Sequence, residues 1–186
     1  MPLAAAAPAC GECLERPPPF ATAFAPFEYA APLDQLVMRL KFGRNLAAGR
    51  VLSQLMLDAL RAEPPPRPDA LVPVPLHAAR LRERGYNQAL ELARPLARAL
   101  GIPLRIDLLE RQRATAAQTD LDAAARRRNV RGAFGVAATA AVPAHIALVD
   151  DVMTTGTTLR ECAKTLLRAG VARVDVWVIA RAPKPR

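Results

Sequence analysis

Two adjacent carboxylates, Asp150 and Asp151, close the apolar run Ile146–Val149, and the segment Thr154-Thr155-Gly156-Thr157-Thr158 follows almost at once. In open α/β proteins ligands collect at the carboxyl ends of parallel strands, which is where such a strand would deliver its acid pair. The threonine segment offers successive backbone N–H groups, four hydroxyls and a glycine able to take positive φ just before a helix start. That composition suits a nest for a phosphate monoester. Two carboxylates would repel a phosphate placed directly beside them. A pentose 5-phosphate removes the conflict: its 2′ and 3′ hydroxyls donate to the acids while the phosphate sits several bonds away in the loop. A divalent cation can also bridge hydroxyls and a diphosphate. The plainer alternative is an acidic strand end followed by ordinary threonine N-capping.

Cations recur upstream. The stretch Val72–Asn87, VPVPLHAARLRERGYN, carries Arg80, Arg82 and Arg84 at alternate positions against the single acid Glu83, and could cradle a diphosphate. A solvated basic surface is the competing reading for any one of these arginines. Arg82, Arg84 and Arg113 are the preferred ligand contacts. His77 reads as a hydrogen-bonding loop residue, His145 as structural, and Tyr86 or Gln88 as capping or packing groups.

The thirteen residues Ile146–Thr158, IALVDDVMTTGTT, resemble the fingerprint of the type I phosphoribosyltransferases: an apolar strand, two acidic residues and a threonine-glycine loop. The resemblance implies that Asp150 and Asp151 are the catalytic acids, holding the ribose hydroxyls directly or through water on Mg²⁺. It implies that Thr154, Thr155, Gly156, Thr157 and Thr158 bind the 5′-phosphate of phosphoribosyl diphosphate or ribose 5-phosphate. Members that salvage 6-oxopurines usually carry Asp where this chain has Thr154, so the resemblance points away from that chemistry. The implied reaction displaces diphosphate from ribose C1 through an oxocarbenium-like transition state, aided by Mg²⁺ and cations and needing no protein nucleophile.

The form P-V-P-L-H with R-x-R-x-R-G-Y-N-Q further resembles ComF and GntX proteins. Lys41-Phe42-Gly43, the run RQRATAAQ at Arg111–Gln118, and Arg127-Arg128-Asn129-Val130 before Phe134 agree with it. ComF proteins commonly begin with two C-x-x-C pairs forming a zinc site; here Cys10 and Cys13 resemble the second pair and no first pair is present. A tetrahedral site needs four ligands, so zinc is not expected unless a dimer shares one, and ordinary thiols are the default. Membership would also imply a competence factor in DNA uptake that binds single-stranded DNA. Whether the chain transfers phosphoribosyl to a nitrogenous acceptor, or binds it without turnover, is left open by these residues. A homodimer is compatible with either.

These groups need a scaffold. Leu33, Leu36, Val37 and Leu40 mark one helix, and Val51, Leu52, Leu55, Met56 and Leu60 a second, with Lys41–Asn45 expected as the turn between them. Four prolines in Glu63–Asp69 exclude regular hydrogen bonding and suggest a boundary. Ala70–Val74 then reads as a strand, Pro75–Tyr86 as a polar loop or broken helix, and a helix from about Asn87 should stop at Gly101, with Pro95 kinking it or shifting its start. Pro103–Leu109 is expected as a strand. Arg111–Val130 lacks an apolar face, and Arg111–Arg131 corresponds in position to a closing loop of related enzymes. Ile146–Val149, Thr157–Ala169 and Val174–Ala180 form a strand, helix, strand unit of a parallel sheet.

The expected class is therefore α/β, a type I phosphoribosyltransferase-like fold with a mostly parallel sheet flanked by helices and a small N-terminal appendage. The expected division is an irregular segment 1–27, a helical subdomain 28–69 and a core domain 70–182. A chain of 186 residues, 52% hydrophobic, can bury one substantial core. Its net charge of +9 is carried mainly by arginine and suits a phosphorylated partner. Three cysteines do not make a disulfide framework, and no run approaches the ~20 apolar residues of a membrane span. Cytoplasmic location and no membrane partner are expected.

Overall fold

The computed structural model describes residues 17–113, 130–137 and 141–182, together with Glu15. Its centre is a five-stranded parallel sheet. Strand β6 (His145–Met153) lies in the middle, with β3 (Ala70–Pro73) on one side and β7 (Arg173–Arg181) on the other. Two short strands, β1 (Ala23–Phe24) and β2 (Phe27–Glu28), pair with the far side of β7. Part of the segment expected to be irregular thus belongs to the sheet.

Both faces of β6 are buried, which is why its sequence is a continuous apolar run without alternation. Ile146 and Leu148 face one core cluster, joined by Val174, Val176 and Val178 of β7. Ala147 and Val149 face the opposite cluster with Trp177 and Ile179. Helix α5 (Thr157–Arg168) covers the first face through Leu159, Cys162, Ala163 and Leu166, supported by an antiparallel pair, β4 (Leu109–Arg111) and β5 (Phe134–Val136).

The other face is covered by α1 (Leu33–Phe42), α2 (Leu46–Ala62) and α4 (Gln88–Leu100). Leu40, Leu52, Met56, Leu92 and Leu96 are fully buried there, so the two N-terminal helices share one core with the sheet. Val51, counted in the apolar stripe of α2, lies outside it and is exposed. Asn45 caps α2 by accepting from the Ala48 N–H at 3.1 Å. Asn87 caps α4 from Ala89 at 3.0 Å, and Gly101, at φ 61°, ends that helix in the left-handed region open to glycine.

Several expectations are corrected. Lys41 and Phe42 are not in a turn but form the last residues of α1; only Gly43, Arg44 and Asn45 link the helices. The stretch after β3 follows the broken-helix alternative rather than the loop: it contains a short helix, α3 (Ala78–Arg84), capped by His77 and ended by Gly85 at φ 86°. Pro95 sits inside α4 without displacing its start from Gln88. Of Pro103–Leu109 only Leu109 is in a strand, as the first residue of β4; the stretch before it is not one. It contributes a single bridge, Leu104 to Leu71, flanked by backbone hydrogen bonds from Leu71 to Pro103 and from Arg105 to Leu71. Beyond it, Arg105 and Asp107 join in a two-pronged ion pair at 2.9 Å that leaves no ladder to continue.

His145 is the first residue of β6 rather than preceding it, and its Nε2 lies 2.7 Å from the fully buried Asp175, which also accepts from Arg173. Of the polar stretch 111–130, Arg111 belongs to β4; residues 114–129, including most of the expected closing loop, lie outside the described residues, as do Cys10 and Cys13.

Candidate functional site

A cavity of about 760 Å³ opens at the carboxyl ends of β3 and β6, on the sheet edge where parallel α/β folds present ligand sites. Val74, Pro75 and Leu76 wall it on one side, and Asp150 through Leu159 on the other. The ends of α1 and α3 and the start of α4 close the remainder. The structure therefore brings the acid pair and the whole threonine-glycine segment into one space.

Consecutive strand residues point to opposite faces. Asp150 continues the row of Ile146 and Leu148 toward α5, whereas Asp151 continues the row of Ala147 and Val149 toward α1. Asp151 is 5% exposed, and its Oδ2 lies 3.0 Å from Lys41 Nζ while Oδ1 accepts from the Val152 N–H at 2.6 Å. Burial pulls the Lys41 ammonium down most strongly, but the Asp151 charge, the hydrogen bond to Asp151 and the Asp150 charge together outweigh it, so the group stands above its ordinary pKa.

Asp150 is half-buried and accepts from the Asp151 N–H at 2.9 Å. Desolvation first, and then the neighbouring Asp151 charge, raise its carboxyl from 3.8 to about 7, against the pull of Lys41. The two acids are thus inequivalent, one ion-paired and one poised to take or release a proton near neutrality.

This inequivalence carries a stability consequence. An unfolded Asp150 titrates near 3.8, so between about pH 4 and pH 7 the folded chain holds a proton that the unfolded chain has released. Stability contributed by the group is therefore lost as pH rises through that window. Asp150→Asn is expected to flatten the decline in melting temperature between pH 5 and pH 8, read by scanning calorimetry. Superimposable pH profiles for parent and variant would mean that Asp150 is ionised throughout.

The loop that follows is shaped by Gly156, at φ 69° and ψ 10°, which is the N-cap of α5. A side chain there would be strained by the backbone conformation, with its Cβ 3.4 Å from Met153 Sδ. Lacking a side chain, Gly156 cannot cap α5, so no N-cap group claims the N–H groups of the first turn, which a helix always projects beyond its start. Thr155 Oγ1 and Thr157 Oγ1 are 2.8 Å apart, which turns the two hydroxyls toward each other on the loop.

Among the described residues five cations line the cavity: Lys41, Arg44, Arg80, Arg84 and Arg111. Of the three guanidiniums expected from sequence, Arg84 is among them, stacked 5.4 Å from the Phe42 ring centroid. Arg82 is exposed and lies outside the lining, and Arg113 donates to the Arg131 carbonyl at 2.8 Å, also outside it. Arg111 was overlooked. It lies 5.4 Å over the Phe134 ring, and burial and then the Arg80 charge lower its pKa.

Lys41 was legible as a motif member but not as a site residue. The available signal was its place on α1, four residues after the fully buried Val37, where a lysine stem must run along the apolar stripe. Gln88, read as a capping or packing residue, is 3% exposed and lines the cavity, while the capping is done by Asn87. His77 accepts from the Ala79 N–H at 3.2 Å, as a hydrogen-bonding loop residue would.

A parallel sheet bearing an acid pair and a threonine-glycine loop at its carboxyl edge is the architecture of a phosphoribosyltransferase-type domain. Residues 87–186 match the family described as "Phosphoribosyl transferase domain". DNA utilization protein YhgH of Salmonella typhi is 42% identical over 179 residues, covering 92% of this chain and 77% of that protein. Competence protein F of Haemophilus influenzae is 38% identical, covering 93% and 78% respectively. Competence protein ComFC of Streptococcus pneumoniae is 26% identical over 155 residues, covering 83% and 66%. The chain belongs to the phosphoribosyl transferase domain family and, within it, to the ComF family.

Among the described residues no cluster of three or more His, Cys, Asp or Glu side chains could hold a metal ion on its own. Cys162 is fully buried, and burial pushes its thiol well above the ordinary range. Among the described residues no helix is long and apolar enough to cross a membrane.

Proposed function

We propose that the cavity holds phosphoribosyl diphosphate, or ribose 5-phosphate, with its ribose hydroxyls on Asp150 and Asp151 and its 5′-phosphate in Thr154–Thr158. The carrying observation is that two carboxylates and an uncapped, threonine-rich helix start open onto one space ringed by cations. A ligand that is acidic at both ends and hydroxylated in the middle matches that order of charges.

The acid pair also fits Mg²⁺, which prefers one or two carboxylates and completes its shell from water and phosphate oxygens. Asp150 and Asp151 would hold it with the ligand, and the ion would supply charge neutralisation for a departing diphosphate. Arg80, Arg84 and Arg111 surround the same space and stabilise negative charge on the ligand. This arrangement supports transfer of the phosphoribosyl group to a nitrogenous acceptor, with the protein contributing position and electrostatics.

Titration calorimetry with phosphoribosyl diphosphate and with ribose 5-phosphate, each with and without Mg²⁺, tests the proposal. Saturable binding of either ligand is expected, strengthened by Mg²⁺ for the diphosphate; absence of binding by both overturns it. Release of diphosphate on adding nitrogenous acceptors then tests transfer.

A second proposal follows from the names of the relatives and the net charge of +9: a role in DNA uptake through binding of single-stranded DNA, without catalysis. Backbone binding by arginines gives an affinity that falls steeply with salt. Steep salt dependence with no competition by phosphoribosyl diphosphate favours this reading over the first.

A further inference from the structure

Gln88 Nε2 is buried within the chain, and among the described residues it has no hydrogen-bond partner. Its residue is only 3% exposed and lines the cavity. A buried donor left unpaired is unfavourable, so natural chains seldom retain one unless a ligand or water answers it. Gln88 is also held rigidly. The preceding Asn87 accepts from the Ala89 N–H at 3.0 Å and donates through Nδ2 to the Val74 carbonyl at 3.0 Å, fixing the start of α4 against the end of β3.

The fold says which end of a ligand this donor would meet. Gln88 precedes Leu92 by one helical turn and Leu96 by two, and those leucines pack with Ala147 and Val149. Asp151 extends that same row of β6 and meets Lys41 there. The threonine loop instead leads into α5, which packs on the opposite face with Leu148 and Val176. A ligand whose 5′-phosphate occupies the loop therefore turns its other end toward Gln88.

Resting on the phosphoribosyl reading above, we infer that Gln88 donates a hydrogen bond to a diphosphate oxygen and so distinguishes phosphoribosyl diphosphate from ribose 5-phosphate. The N-terminus of α4, thirteen residues long, adds its positive end to the same oxygen.

The full chain carrying Gln88→Leu, similar in size and unable to donate, is titrated with both ligands in the presence of Mg²⁺. Affinity for phosphoribosyl diphosphate is expected to fall by about tenfold or more, while affinity for ribose 5-phosphate stays within about twofold. Gln88→Glu, which adds a carboxylate facing the diphosphate, should weaken the first ligand further. The melting temperature of ligand-free Gln88→Leu should not fall, because an unpaired buried donor has been removed. Unchanged affinity for phosphoribosyl diphosphate, or an equal loss for both ligands, overturns the inference. If the parent chain binds neither ligand, the phosphoribosyl reading fails and this inference with it.

Discussion

Combining Asp150→Asn with Asp151→Asn is expected to lower the affinity for phosphoribosyl diphosphate with Mg²⁺ by at least about a hundredfold. On the proposed reading each carboxylate accepts from a ribose hydroxyl or a metal-bound water, and hydrogen bonds to charged groups contribute about 1.5–3 kcal/mol apiece. Asparagine keeps the shape and one acceptor oxygen but loses the charge that draws the cation. Titration calorimetry reads the loss, and a retained cooperative melt separates it from unfolding. Affinity within about threefold of the parent would place the ribose elsewhere.

The second large effect concerns Lys41. Lys41→Met preserves the apolar stem and removes the ammonium, leaving Asp151 without the partner that stands 3.0 Å from it. Removing one member of a buried pair costs about 3–5 kcal/mol; because the Lys41 side chain is 27% exposed, about 2–3 kcal/mol is expected here. Urea unfolding at pH 8 measures it. Adding Asp151→Asn to Lys41→Met should recover most of the loss, since the two changes remove one interaction. A purely additive pair would show that Lys41 acts through something other than Asp151.

The acid pair, the threonine-glycine loop and the strand, helix, strand unit around them were legible in the sequence because the signals are local. A doubly buried strand shows as four consecutive apolar residues, and Leu159, Cys162, Ala163 and Leu166 recur at helical spacing. The cation opposite Asp151 was not legible, since nothing near Asp151 in the chain names Lys41 as its partner. It arrives through packing of α1 on the sheet, a tertiary fact without a local signature.

Where each arginine lies was not legible for a related reason. Arg82 and Arg84 share a short helix, and only its tertiary placement turns Arg80 and Arg84 into the cavity and leaves Arg82 in solvent. Among Pro103–Leu109 the alternation suits a strand, yet only Leu104 finds a place beside β3 before the Arg105–Asp107 pair ends the pairing.

The margins of the sheet bear on how this chain meets other chains. On one side β7 is bordered by β1 and β2, only two residues each, and on the other β3 carries Pro73 and is covered beside Leu71 by the Pro103–Arg105 backbone. Neither margin offers a long row of open amides and carbonyls, so the described sheet is a poor template for strand addition by another molecule. Crowding at high concentration should not string these sheets together edge to edge.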